Sequence, residues 1–193
     1  MNTSFIKTNL IVKTIALLLF CNNVQSQTIF SKTLKTLEGK NYNLNDLKKN
    51  KGNVFIIISP DCPLCQNYAL TLNEQQKLFA PKKIKYIGVV SGKIYTVQEI
   101  NHYKKLFNVQ FELLIDENYE IKKNLGASVT PEVFLINNLG KTIYSGRIDD
   151  WAYDVGKHKP KATEHNLKDA VNAYVAGKPI TIKKTNAVGC ILE

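Results

Sequence analysis

Residues 62 to 65 read Cys-Pro-Leu-Cys, two thiols set two residues apart. Thiols at that spacing exchange with disulfides when a helix begins at the first of them. The first sulfur then lies beside unsatisfied backbone N–H groups and the positive end of the helix dipole. Both favour the thiolate, lowering its pKa from about 8.5 to between about 3.5 and 7.5. On this reading the Cys62 thiolate attacks a disulfide, and Cys65, one turn on, attacks the mixed disulfide and releases the product. Half of a zinc site is the competing reading, but zinc wants a second Cys or His pair at close spacing and none follows. A permanent structural disulfide is the other alternative.

The surrounding pattern supplies the strand and helix that this chemistry needs. The run 53–59 (NVFIIIS) is apolar on both faces, predicts a central, doubly covered strand, and ends directly before the cysteines. A helix is predicted over 63–79, with Tyr68, Ala69, Leu72 and Phe79 sharing one face and Pro81 stopping it. Beyond it, 84–90 reads as a strand. Thr96 and Glu99 form a capping box ahead of a helix reaching about residue 107, and 111–115 is a third core strand. A short helix over 119–125 closes at Gly126. Segments 133–136 and 141–145 flank Asn137-Asn138-Leu139-Gly140 as an antiparallel hairpin. Thr163 is expected to cap a last helix, in which Leu167, Ala170, Val171, Tyr174 and Val175 share a face and Gly177 ends it. Upstream, 28–34 and 40–44 read as an N-terminal hairpin across the Glu38-Gly39 turn. The order is that of an α/β fold with a mostly parallel sheet covered on both sides.

Strand, Cys-Pro-Leu-Cys, helix, then Thr130-Pro131-Glu132 before the strand at 133–136, resembles the thioredoxin-like superfamily over about residues 28–147. The N-terminal hairpin and the insertion between residues 84 and 115 resemble its redoxin branch. That branch includes alkyl hydroperoxide reductase/thiol-specific antioxidant proteins and exported cytochrome-maturation thioredoxins. The resemblance implies a thioredoxin-like fold with a central mixed sheet, and an oxidoreductase that needs no cofactor. It also implies a Pro131 that is cis and faces the cysteines, with Thr130 offering a backbone edge to a substrate chain. Pro63, Leu64 and Trp151 are the further candidate substrate contacts. Thiol- or disulfide-bearing proteins are the expected substrates, beside an upstream redox partner.

The departures from that pattern carry information. Asp61 stands where thioredoxins have Trp, a charge that opposes the thiolate. The segment 54–58 lacks the acid that thioredoxins bury there. Peroxiredoxins show P-x-x-x-T-x-x-C. Here Ser59 matches the threonine but Phe55 replaces the proline, and the single arginine, Arg147, lies beyond the following hairpin. Peroxide reduction is therefore the alternative activity. Copper delivery, which in this class uses C-x-x-x-C and a histidine, is a more distant one.

Cys190 sits in an irregular tail, Val188-Gly189-Cys190-Ile191-Leu192. It reads either as an inert thiol tucked under apolar neighbours or as a third redox cysteine able to resolve Cys62 if the tail folds back. The long aperiodic segment 148–162 carries Trp151, Asp149, Asp150, Tyr153 and His158, and its aromatics predict an ordered flap. His102, His158 and His165 read as surface residues, and Asp149-Asp150 as a turn.

The N-terminus sets the expected compartment. Lys7 and Lys13 precede a short apolar run, 15–21, and polar residues follow, a signal-peptide pattern with a cut after Ser26. The run is too short for a permanent membrane span, which needs about 20 apolar residues. The mature chain would be periplasmic or secreted, with one thioredoxin-like domain over 27–147 and an extension over 148–193 packed on it. The net charge of +10 falls by the charges of Lys7 and Lys13. What remains is scattered lysine, a solvated surface with no nucleic-acid footprint.

Overall fold

The computed structural model describes residues 28–192. The expected signal segment 1–26 lies outside them. The strands are β1 (Thr33–Thr36), β2 (Asn41–Asn43), β3 (Gly52–Ile57), β4 (Ile84–Ser91), β5 (Glu112–Asp116), β6 (Val129–Thr130), β7 (Glu132–Asn137) and β8 (Thr142–Gly146), the central ones, β3, β4 and β7, rich in β-branched and aromatic residues. Seven of these make one mixed sheet in the order β2-β1-β5-β4-β3-β7-β8, as the resemblance implied. Only β3, β4 and β5 are parallel and the other pairs are antiparallel, so the sheet is not the mostly parallel one that the element order suggested, because hairpins add strands at both edges.

Every residue of β3 is buried, as an apolar run covered on both faces requires. Val54 and Ile56 face one core and Phe55 and Ile57 the other. Each such side chain contributes about 1.5–3 kcal/mol by leaving water. The strand delivers the chain to the cysteines, where α1 (Pro63–Phe79) begins with proline at a position whose missing N–H costs nothing. α1 buries Leu64, Cys65, Tyr68, Ala69, Leu72 and Phe79 against the first core. α2 (Val97–Leu106) packs on the same face through Ile100 and Tyr103 and starts with the complete Thr96/Glu99 capping box. α3 (Glu120–Leu125) lies on the opposite face through Ile121 and ends at Gly126, whose φ of +68° suits glycine. α4 (Asn166–Val175) returns to the first face with Leu167, Ala170 and Val171.

Two local expectations are corrected. Residues 28–34 are not all strand, because Ile29–Ser31 form a 3₁₀ turn before β1. Ile29 and Phe30 are neighbours in the chain and both enter the second core. An alternating strand would send them to opposite faces. Thr163 does not cap α4. His165 holds that position without a side-chain bond, and the Thr163 hydroxyl donates to Asp150 Oδ2 at 2.6 Å. The buried Asp150 carboxylate claims Thr163 because it also takes the N–H groups of Thr163 and Glu164, at 2.7 and 2.8 Å, and the Lys159 ammonium.

Those bonds organise the flap, which holds a small hairpin of β9 (Ala152–Asp154) and β10 (Lys157–His158). After α4 the chain runs along the open edge of β8, where Ser145 N donates to Lys183 O and Thr185 N donates to Ser145 O, both at 3.0 Å. It then crosses to β6 as β11 (Cys190–Ile191), antiparallel, with Cys190 opposite Thr130 and Ile191 opposite Val129. Among the described residues no helix is long and apolar enough to cross a membrane.

Candidate active site

Cys62 occupies the N-cap of α1 in extended conformation, its N–H donating to Ser59 O and its carbonyl accepting from Gln66 N, each at 3.1 Å. The tight turn after β3 thus sets its side chain at the helix mouth. It is 2 % exposed. Its sulfur is bonded to that of Cys190, 128 residues on, with the two Cα atoms 6.1 Å apart. The Cys62 Sγ also lies 3.0 Å from the Thr130 carbonyl oxygen. In the disulfide, which carries no S–H, this is a contact and not a hydrogen bond. The Thr130–Pro131 bond is cis, and Thr130 is fully buried beneath β11.

Cys65 differs in kind. It is a free thiol, 1 % exposed in the core under α1. Burial pushes its pKa up to about 12, outweighing the Ser59 backbone and the Thr130 side chain, which favour the thiolate; the charge of Asp61 adds to the rise. The Thr130 hydroxyl is itself buried without a hydrogen bond. Tyr103 donates to the Cys65 carbonyl at 3.1 Å, tying α2 to this turn of α1.

Beside the disulfide opens a cleft of about 300 Å³, walled by Ser59, Asp61, Ser91, Ile94 and Tyr95 and closed by the tail. Asp61 does not face the sulfurs unpartnered, because the Tyr95 hydroxyl donates to its Oδ1. Burial first, and then this bond to a carboxylate, push the Tyr95 hydroxyl up to about 12. Ile94 and Ile191 are 62 % and 83 % exposed, so the cleft has an apolar rim open to solvent. Tyr95 and Ile94 were not among the sequence candidates. The turn at Gly92, φ +86°, carries them from β4 toward Asp61, and only the long-range fold reveals it. Gly189, also missed, had a signal in the bare Gly-Cys pair of the tail.

Of the other candidates, Pro63 is exposed and Leu64 is buried under the helix. Trp151 lines a different cleft, about 460 Å³, along the flank of α1. There it sits edge-on to Tyr68, with centroids 5.5 Å apart, and is stacked on His158 at 4.5 Å. Tyr68 donates to Asp149 Oδ1 at 2.6 Å and accepts from Ala152 N at 3.3 Å, so these residues staple the flap to α1. His158 therefore belongs to the staple, and His102 lines a third cleft between α1 and α2. Arg147 is also committed to the flap, its Nε donating to Asn166 Oδ1 and its Nη2 to Glu164 Oε2, each at 2.7 Å.

Residues 26–145 match the model of the AhpC/TSA family, from the end of the signal-like segment to β8. The chain belongs to the AhpC/TSA family. No curated protein matches it closely enough to register. Among solved structures, it is similar to a hypothetical protein from Sinorhizobium meliloti 1021, with a TM-score of 0.74 and 23 % identity, covering 83 % of this chain and 88 % of that one. It is also similar to an uncharacterized conserved protein from Geobacillus kaustophilus, with a TM-score of 0.75 and 21 % identity over 86 % and 90 % of the two chains. A third is a secreted disulfide oxidoreductase of Mycobacterium tuberculosis, with a TM-score of 0.53 and 18 % identity over 77 % and 96 %. These likenesses establish the thioredoxin-like fold. The AhpC/TSA match stops before the flap, α4 and the tail, so the segment bearing Cys190 lies beyond the family's common core.

Proposed function

We propose that this AhpC/TSA-family protein is an exported thiol–disulfide oxidoreductase whose working pair is Cys62 and Cys190, with Cys65 as a buried neighbour. The observation that carries the reading is the bond between the helix-capping Cys62 and the tail Cys190, made against the cis-proline segment. The secreted mycobacterial oxidoreductase on the same fold, together with the signal-like N-terminus, supports the exported setting.

The chemistry uses sulfur alone. In the oxidised protein Cys62 is shielded and Cys190 half-buried, so the thiolate of an upstream dithiol protein attacks Cys190 Sγ. The S–S bond breaks toward Cys62, whose sulfur departs as a thiolate favoured by the α1 N-terminus. The partner's second thiol then attacks the mixed disulfide, leaving Cys190 as a thiol and the partner oxidised. In the reduced protein the Cys62 thiolate attacks a substrate disulfide and expels one substrate thiolate. Cys190 attacks Cys62 Sγ, freeing the second substrate thiol and restoring the disulfide. Two electrons pass from upstream partner to substrate, and no cofactor takes part.

The assignment separates the two candidate resolving thiols. With a pKa pushed up to about 12, Cys65 is almost wholly protonated at neutral pH and a poor nucleophile. Cys190→Ser should therefore accumulate mixed disulfides at Cys62, seen on non-reducing gels and located by mass spectrometry, while Cys65→Ser should not. The opposite result would return the resolving role to Cys65 and leave Cys190 as a fastening.

A further inference from the structure

The tail that carries Cys190 uses the backbone edge a disulfide-bearing substrate needs. Cys190 lies opposite Thr130 and Ile191 opposite Val129, with Leu192 N donating to Ser128 O at 3.0 Å. Lys122 Nζ donates to Leu192 O at 3.0 Å. Strand addition at β6 is thus realised by the protein's own chain, with a cysteine in the position that bonds to Cys62. One sulfur and one edge serve either the tail or a partner at a given moment, and not both. The tail is therefore a record of how a partner strand docks.

That record contains a sequence constraint. Gly189 stands immediately before Cys190, and its backbone is so close to Thr130 that a Cβ there would overlap the Thr130 carbonyl. The obstacle is buried backbone at the cis bond to Pro131, so it cannot swing aside as a side chain would. Positions after the cysteine are less restricted, since Ile191 is 83 % exposed beside the apolar rim formed with Ile94.

Resting on the oxidoreductase reading above, we propose that the protein's substrates present an extended segment with glycine directly before the reacting cysteine. The segment docks antiparallel on Val129–Thr130 in the register of Gly189-Cys190-Ile191. The tail competes for the same edge, and a substrate enters as the tail leaves.

The test uses full-length protein carrying Cys190→Ser and Gly189→Val, the second change driving the tail off Thr130. The probes are peptides Ala-Val-X-Cys-Ile-Leu whose cysteine is joined to thionitrobenzoate. Cys62 attacks the peptide sulfur, a new S–S bond forms, and the coloured thionitrobenzoate anion leaves and is counted. With X glycine the reaction should run about tenfold faster or more than with X valine, because the valine side chain meets backbone that cannot yield. The glycine peptide should also react more slowly with the Cys190→Ser single variant, whose tail still covers the edge. Equal rates for glycine and valine peptides, or no gain on releasing the tail, would overturn the proposal. A small aromatic disulfide that ignores the edge is the control. If it too fails to react at Cys62, the oxidoreductase reading fails instead.

Discussion

Cys62 and Cys65 are separated by a single turn of helix, and their surroundings divide them sharply. Cys62 stands at the N-cap of α1, bonded to the tail and beside the Thr130 carbonyl, and Cys65 is buried in the core, which penalises its charge. At pH 8 a thiol with a pKa of about 12 is ionised in about one molecule in ten thousand. In reduced protein iodoacetamide should therefore modify Cys62 quickly and spare Cys65 until the protein is unfolded. Peptide mapping checks this, and early label on Cys65 would remove the basis for excluding it as the resolving thiol. The sign of the pH effect on folding follows from the same burial. The folded thiol holds its proton more tightly than the unfolded one. Its stabilising effect is intact below the ordinary value of 9.0 and is lost as pH rises toward about 12.

At the scale of elements, the site is held by caps and crossings formed between segments distant in sequence. α3 is an example outside the active centre. The Asp116 carboxylate at the end of β5 accepts from the N–H groups of Glu120, Ile121 and Lys122 at 2.8, 2.9 and 3.1 Å, and from the Ser91 hydroxyl at 3.2 Å. It is 1 % exposed, so its loss leaves several donors unsatisfied in the interior. Asp116→Ala should cost about 2 kcal/mol of stability, at the upper end for a lost helix cap, measured by urea denaturation. A change under about 0.5 kcal/mol would mean that water or Ser91 replaces the cap without penalty. The flap is an element of the same kind, with Asp150 tying its two ends and Tyr68 fastening it to α1.

At the scale of the whole molecule, the disulfide joins the first helix of the core to the last strand of the extension, closing a loop of 128 residues. Breaking it frees chain entropy mainly in the unfolded state, and reduction should lower the unfolding free energy by about 2–4 kcal/mol. The loosening should be local in the native protein. Amides of residues 190–192 should lose protection from hydrogen exchange on reduction, while those of β3 keep it. Fluorescence of Trp151, packed between Tyr68 and His158 in the other cleft, should change little. A marked change would couple the flap to the redox centre.

What the sequence determined by itself was local or periodic. The apolar run into Cys-Pro-Leu-Cys announced β3 and α1, and Thr96 with Glu99 announced α2. Each of these signals is written within a few residues, where helix period, strand period and capping act. A Thr-Pro pair alone is an ordinary turn signal, and it was the thioredoxin-like resemblance that implied a cis bond at Pro131. The partner of Cys62 was not legible in this way. Both Cys65 and Cys190 were candidates, since spacing favours the near thiol and says nothing of where a tail returns. Tertiary structure decided it, by turning Cys65 into the core and leading the tail along β8 to lie on Thr130. For Trp151 the sequence offered an aromatic in a long loop, a signal shared by a lid and a staple. Only packing against Tyr68, eighty-three positions away, separates the two, because contact energy between distant segments leaves no periodic mark in either of them.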